Sequence, residues 1–84
     1  MNKVTGKFVI ITPAYNEAEY IERTIKSVLA QSLQPTKWVI VDDGSIDGTA
    51  EIIQRYSFKY PEIEYLRREK VDGQSYYGSN VHAI

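Results

Sequence analysis

The feature that most constrains this chain is a continuous apolar run that ends directly in two adjacent acidic residues. Residues 38–41 (Trp-Val-Ile-Val) are followed without a break by Asp42 and Asp43, and Gly44 comes next. Such a run is typical of a buried strand in a parallel sheet. Two neighbouring like charges repel each other and contribute nothing to folding, so the aspartates either form a solvated turn or hold a ligand. The pattern alone leaves both roles open.

The first half of the chain shows the same order of elements. Residues 8–11 form another apolar run, which predicts a parallel strand covered on both faces. Pro13 should end this strand, because proline cannot donate to the ladder. Asn16 predicts a helix N-cap, and Glu19 three positions on completes a capping-box pattern. An apolar stripe at helical spacing follows: Ile21, Ile25, Val28 and Leu29.

The second half continues the alternation of strand and helix. Ser45 or Asp47 can cap a second helix, whose inward residues would be Ile52, Ile53 and Tyr56. Residues 62–67 alternate polar and apolar, which predicts an edge strand with one wet face. Residues 69–84 are expected to form a loop and the start of a third helix that the chain does not complete.

Strands that alternate with helices predict an α/β fold with right-handed crossovers and a parallel sheet of about three strands, in the spatial order third-second-first with helices on its faces. In such sheets, ligands bind at the carboxyl ends of the strands. The two loops at that edge are residues 12–17 and 42–48. The aspartates therefore lie where this architecture places ligands.

Composition excludes several classes of function. The 84 residues carry a net charge of −1, with no basic run beyond residues 67–70, which argues against broad nucleic-acid binding. The longest apolar run is far too short for a membrane span. The chain has no cysteine, which fits a cytoplasmic location, and His82 has no partner at metal-ligand spacing. We expect one small domain without a disulfide framework.

Two segments together resemble the start of the inverting family 2 glycosyltransferases, which have the GT-A fold. They are VIITPAYNEAEYIERTIKSVLAQSLQP and WVIVDDGSIDGTAEIIQRY, and the likeness covers roughly residues 7–68. It implies the Rossmann-like βαβαβ half of that fold. Residues 1–84 would be a single, truncated domain that binds a UDP- or GDP-linked sugar. The full enzyme would transfer that sugar to an acceptor hydroxyl.

The resemblance implies six nucleotide-binding residues: Pro13, Ala14, Tyr15, Glu17, Asp42 and Asp43. Among these, Asp42 would accept the N–H of a uracil-like or guanine-like base, Glu17 would face the ribose, and Asp43 would hold its loop through backbone N–H groups. Four further residues would shape that loop: Gly44, Ser45, Asp47 and Gly48.

The chain departs from the family pattern in its catalytic parts. The family's metal-binding Asp-x-Asp is absent, and so is the acidic catalytic base further on. The full enzyme is expected to use Mg or Mn, with no metal ligand and no catalytic residue in this chain, so the 84 residues alone should be inactive. Ser79 stands where many members carry a basic residue. Arg67, Arg68 or Lys70 could contact the diphosphate instead, or they could be a solvated strand end.

Two alternatives remain at this level. The chain could be a non-catalytic nucleotide-binding module, or an interaction fragment that forms a homodimer through the exposed edge of residues 8–11. A fold-back of residues 76–84 over that edge would oppose the dimer. The resemblance further implies a cytoplasmic protein, at the cytoplasmic face of a membrane in the full-length enzyme.

Overall fold

A computed structural model describes residues 4–69 of the chain. This part contains strands and helices in the following order: β1 (Val4–Thr5), β2 (Val9–Ala14), α1 (Ala18–Leu29), β3 (Leu33–Gln34), β4 (Lys37–Asp42), α2 (Thr49–Lys59) and β5 (Ile63–Arg67). The predicted loop and third helix at residues 69–84 lie outside the described residues, apart from Glu69.

The longer strands form a parallel sheet. β2 pairs with β4, and β4 pairs with β5, so the spatial order is β5, β4, β2. This is the predicted order, third-second-first, and the predicted α/β class and parallel pairing are confirmed. Both crossovers step in the same direction across the sheet. Right-handed crossovers that repeat in one direction place successive helices on the same face.

The hydrophobic core lies between that face and the two helices. Ile40 of β4, Ile25 of α1 and Ile53 of α2 have no exposed surface and belong to one cluster. Trp38 is buried in the same cluster, and its indole N–H donates to the hydroxyl of Thr12 at 2.9 Å. The polar atom of the largest core residue is therefore paired.

The other face of the sheet is open within residues 4–69. Val9 and Ile11 are each 57% exposed, and Leu66 is 45% exposed. The expectation that residues 8–11 form a strand covered on both faces is wrong for this part of the chain. Its physical reason is the shared direction of the crossovers, which leaves both helices on one face of the sheet.

A two-stranded parallel sheet of β1 and β3 is the element that the sequence pattern does not predict. It prolongs the β2–β4 pair past Pro35. On either side of this proline, the Gly6 N–H donates to the Gln34 carbonyl at 2.7 Å, and the Thr36 N–H donates to the Phe8 carbonyl at 2.8 Å. Since proline lacks an N–H, the ladder is interrupted there and then resumes.

The two helices are short. α1 has 12 residues and α2 has 11, whereas about 20 apolar residues are needed to cross a bilayer. Across the described residues, neither helix meets the length and hydrophobicity that a membrane span requires.

Candidate functional site

The two loops predicted to share one edge of the sheet do meet there. Ala14 at the end of β2 is in register with Asp42 at the end of β4. One residue further, the N–H of Asp43 donates to the carbonyl of Ala14 at 2.8 Å. Asp43, the residue after β4, is thus held against Ala14, the last residue of β2. Tyr15 follows Ala14 directly in the chain.

Asn16 joins the two loops through both its backbone and its side chain. Its N–H donates to the hydroxyl of Ser45 at 2.8 Å, and its side-chain oxygen accepts the N–H of Ile46 at 2.9 Å. Asn16 adopts a positive φ of 50°, a conformation that asparagine tolerates better than most residues. It therefore acts as a connector between loops.

The start of α1 is capped from the other loop, which corrects the predicted capping box of Asn16 and Glu19. The N-cap is Glu17, whose side chain makes no capping hydrogen bond. Instead, the Glu17 N–H donates to the Thr49 hydroxyl at 2.7 Å, and the Ala18 N–H donates to the Asp47 carboxylate at 3.2 Å. Side chains from the start of α2 thus take the N–H groups at the start of α1.

Asp42 is the internal anchor of the site. It has no exposed surface, and one of its oxygens accepts the N–H of Ser45 at 2.9 Å. The other oxygen accepts the Tyr65 hydroxyl at 2.8 Å and the Arg67 guanidinium at 3.0 Å. Donors from this chain thus occupy both oxygens. The predicted contact of Asp42 with a base would therefore require the loss of one of these hydrogen bonds.

These contacts control the charge of Asp42. Burial on its own would raise the pKa of the carboxyl group. Hydrogen bonds from Ser45 and Tyr65 and the positive charge of Arg67 outweigh burial, so the pKa of Asp42 lies below its ordinary value. Asp42 is therefore a carboxylate at neutral pH, and it holds the turn that follows β4.

Asp43 is the aspartate of the pair that reaches the surface. Its side chain is 12% exposed and forms an ion pair with Arg68, whose side chain is 19% exposed. The Arg68 Nη2 and Nε atoms lie 3.0 and 3.1 Å from the same carboxylate oxygen, Oδ1. Two residues of the predicted basic cluster thus form ion pairs with the two aspartates: Arg67 pairs with Asp42, and Arg68 pairs with Asp43.

The other predicted residues differ in accessibility. Pro13 is exposed and Tyr15 is 53% exposed, whereas Ala14 is buried and Glu17 is half-buried. Gly44 has a φ of 83°, a left-handed conformation that favours glycine.

Gly48 has no such requirement. Its φ is −82°, and an added Cβ would meet that of Ala18 at an ordinary 3.8 Å. Of the two glycines predicted to shape the loop, Gly44 is therefore the one whose conformation favours glycine.

Sequence reasoning missed three residues that support the site: Thr49, Tyr65 and Arg67 as a partner of Asp42. A signal for two of them existed. Tyr65 and Arg67 are two apart on a strand with period-two alternation, so they share a face. The predicted order places that strand beside β4, and Arg67 is in register with Asp42.

Residues 4–69 do not fit a metal centre. In this range, no group of three or more His, Cys, Asp or Glu side chains comes together in a way that could hold a metal ion. Asp42 and Asp43 are instead neutralised by arginines of the same chain.

Comparison with known proteins identifies a family whose matched segment includes this edge of the sheet. The model of the family described as glycosyl transferase family 2 matches residues 9–76, which include both loops. TuaG of Bacillus subtilis (strain 168), a glycosyltransferase whose name places it in teichuronic acid biosynthesis, is 53% identical over 64 residues, covering 76% of this chain and 25% of TuaG.

Two further relatives cover more of the chain. Glycosyltransferase AglE of Haloferax volcanii is 38% identical over 74 residues, which are 86% of this chain and 24% of AglE. The uncharacterized glycosyltransferase MG025 of Mycoplasma genitalium is 37% identical over 79 residues, 92% of this chain and 25% of MG025. The chain thus spans about a quarter of the length of these relatives. No solved structure matches it significantly. With the family model covering most of its length, this chain belongs to glycosyl transferase family 2.

Proposed function

We propose that this chain binds the nucleoside of a nucleotide-diphosphate sugar, within an enzyme that transfers the sugar to an acceptor hydroxyl with inversion. The observation that carries the proposal is the junction of the two loops at the carboxyl edge of the sheet. This junction is where open α/β sheets bind ligands, and the family match covers it. A cytoplasmic location is part of the same proposal.

Accessibility decides which aspartate we assign to the base. Asp42 is fully buried, and its oxygens accept hydrogen bonds from Ser45, Tyr65 and Arg67. Asp43 reaches the surface. We therefore assign the contact with the base N–H to Asp43, and we assign to Asp42 the support of the loop. The exposed residues Pro13 and Tyr15 would contact the base and ribose from the neighbouring loop.

The diphosphate is not expected to bind at the start of α1, although helix N-termini often bind phosphate. Asp47 and Thr49 already accept the N–H groups of Ala18 and Glu17 there. The Asp47 carboxylate would also repel an anion. This arrangement differs from a dinucleotide-binding turn and supports a diphosphate site outside the first crossover.

The catalytic parts of the reaction are assigned to other parts of a longer enzyme. Residues 4–69 hold no fitting metal centre, and the 84-residue sequence contains no Asp-x-Asp. A divalent ion, Mg or Mn, would stabilise the leaving diphosphate, and an acidic base would deprotonate the acceptor. Because this chain supplies the nucleoside contacts and neither device, we propose that it transfers no sugar alone.

We expect UDP to bind weakly to the 84-residue chain, because metal-bound diphosphate contacts are absent. In an NMR titration, shifts should concentrate at residues 13–17 and 43–48. Asp43→Asn should reduce affinity by about tenfold, since a charged acceptor is replaced by a neutral amide. Glu51→Gln, on the exposed side of α2, serves as the matched control. Saturable binding with shifts confined elsewhere would contradict the proposal.

The unpaired edge of β2 supports the second candidate, an interaction fragment. Within the described residues β2 pairs with β4 alone, and its Val9 and Ile11 are more than half exposed. Such an edge is a template for a strand of another chain. A symmetric pairing of two β2 strands predicts concentration-dependent dimers in sedimentation experiments, and Ile11→Lys should abolish them. A monomer at all concentrations would exclude this candidate.

A further inference from the structure

The outer edge of β5 is open among residues 4–69, where β5 pairs with β4 alone. At one end of this pair the Arg68 N–H donates to the Asp42 carbonyl, and at the other end the Glu62 carbonyl accepts an N–H of β4, each at 2.8 Å. The even-numbered residues of this stretch therefore bond to β4. The N–H groups of Tyr65 and Arg67 face away from β4, as do the carbonyls of the odd-numbered residues.

The charged side chains of this strand do not cover its outer edge. Charged residues often protect an edge strand from pairing with another chain. Here Glu64 forms an ion pair with Lys37 at 3.1 Å, and Arg67 forms one with Asp42 at 3.0 Å. Both partners belong to β4, so these contacts draw the charges toward the middle of the sheet. The outward backbone groups are left without this protection.

A groove beside the same edge carries the most exposed large apolar side chain among the described residues. This side chain is Phe58, near the end of α2, and it is 94% exposed. Together with Phe58, the groove is lined by Pro61, Ile63 and Tyr65. A strand that docks on the edge would gain main-chain hydrogen bonds from β5 and apolar contact from this groove.

We propose that a second copy of this chain docks here, with the two β5 strands antiparallel about a twofold axis at Tyr65. In this register the Tyr65 N–H of each copy meets the Tyr65 carbonyl of the other. The Arg67 N–H of each copy meets the carbonyl of Ile63 in the other. Every outward N–H of Tyr65 and Arg67 thus gains an acceptor, as a symmetric and self-complementary interface requires.

A twofold axis at Ile63 does not fit. The Ile63 N–H already donates to the Tyr60 carbonyl at 2.9 Å within the same chain. That register would also place Pro61 opposite Tyr65, and proline has no N–H to donate. The turn that leads into β5 therefore moves the axis along the strand, to Tyr65.

Charge complementarity supports the same register. Glu62 and Arg68 lie at equal distances along the chain from Tyr65, on opposite sides of it. Glu62 of one copy is therefore opposite Arg68 of the other, and the twofold axis repeats this pair at both ends of the junction. Opposite charges on facing strands are favourable, whereas like charges destabilise the pair. Arg68 keeps its ion pair with Asp43, which Glu62 of the other copy would join.

Sedimentation velocity of the 84-residue chain over a range of concentrations tests the proposal, and dimers are expected. Phe58→Asp should raise their dissociation constant by about tenfold, as for the loss of one buried aromatic side chain. Glu62→Arg should raise it by about fivefold, because like charges then face each other. Ile11→Lys is the matched control. It also replaces an exposed apolar side chain by a charge, but at the opposite edge of the sheet, so this dimer should persist.

NMR on a mixture of isotope-labelled and unlabelled copies tests the register. In an antiparallel pair centred on Tyr65, the Hα of Glu64 faces the Hα of Leu66 in the other copy. We expect a nuclear Overhauser effect between these two protons across the copies. Amide exchange at Tyr65 and Arg67 should also slow as the concentration rises, because both N–H groups gain acceptors.

The outcomes distinguish this interface from the edge of β2. Dimers that Ile11→Lys abolishes and Phe58→Asp preserves would assign association to β2 and overturn the proposal. A chain that is monomeric at all concentrations overturns it as well, and so does a dimer without the contact between Glu64 and Leu66. Since none of these experiments contains a nucleotide, they leave the proposed nucleoside site to its own test.

Discussion

Replacing Asp42 by alanine is expected to lower the free energy of unfolding by about 2–4 kcal/mol. The substitution removes the acceptor for the Ser45 N–H, the Tyr65 hydroxyl and the Arg67 guanidinium at a position without exposed surface. A domain of this size has roughly 4–13 kcal/mol of stability in total. Urea titration, followed by the fluorescence of the single tryptophan, Trp38, measures the loss.

Two substitutions control for charge and position. Asp43→Ala removes the neighbouring charge from an ion pair whose side chains keep some exposure, 12% for Asp43 and 19% for Arg68, and should cost less than Asp42→Ala. Asp42→Asn keeps the shape of the side chain but presents an NH2 group to a set of donors, so it should be destabilising too. Equal losses for Asp42→Ala and Asp43→Ala would contradict the anchoring role of Asp42.

The same contacts fix the sign of the pH dependence. The pKa of Asp42 is lower in the folded chain than in the unfolded chain, where a value of about 4 applies. The contribution of Asp42 to the free energy of unfolding is therefore complete above pH of about 4. It is lost as the pH falls through the pKa that Asp42 has in the folded chain. Acid unfolding should begin at a higher pH in Asp42→Asn than in the unaltered chain.

Replacing Thr49 by valine is expected to cost about 1–3 kcal/mol, because the part-buried Glu17 N–H loses its acceptor, the hydroxyl of the fully buried Thr49. Valine matches the shape of threonine, so packing is kept and the hydroxyl alone is removed. The Asp47 carboxylate would also lose the hydroxyl donor of Thr49. Urea titration measures the cost, and amide exchange at Glu17 should accelerate.

Thr49→Ser is the matched control, since it keeps the hydroxyl and removes a methyl group. If serine destabilised the chain more than valine does, packing rather than the hydrogen bond would explain the effect. Unchanged exchange at Glu17 in Thr49→Val would show that the hydroxyl does not hold the start of α1.

The parts of the fold that followed from the sequence are those with a long periodic signal. The stripe at Ile21 and Ile25 predicted α1, and the run before Asp42 predicted β4. β1 and β3 have two residues each and lie on either side of a proline, so they carry no pattern to detect. Their pairing follows from the longer β2–β4 ladder that they prolong.

The predicted cap of α1 failed because the rule is local and the actual contact is not. Asn16 and Glu19 have the right spacing for a capping box. Competing acceptors at Asp47 and Thr49 come from the next crossover, and sequence spacing does not reveal them.

For the site, the sequence identified both loops but not the different roles of the two aspartates. These roles depend on how deeply each aspartate side chain is buried and on which arginine lies beside it. The buried position of Asp42 was not visible because two neighbouring aspartates look alike in sequence.

The capping of α1 by residues of the next crossover has a consequence for the order in which the chain can fold during synthesis. A ribosome delivers α1 well before Asp47 and Thr49, so the emerging helix at first lacks the partners for its initial N–H groups. A short isolated helix is marginal in water. α1 should therefore remain only partly formed until α2 has begun to emerge. The two crossovers would then fold as one unit, in a single late step of nascent-chain folding.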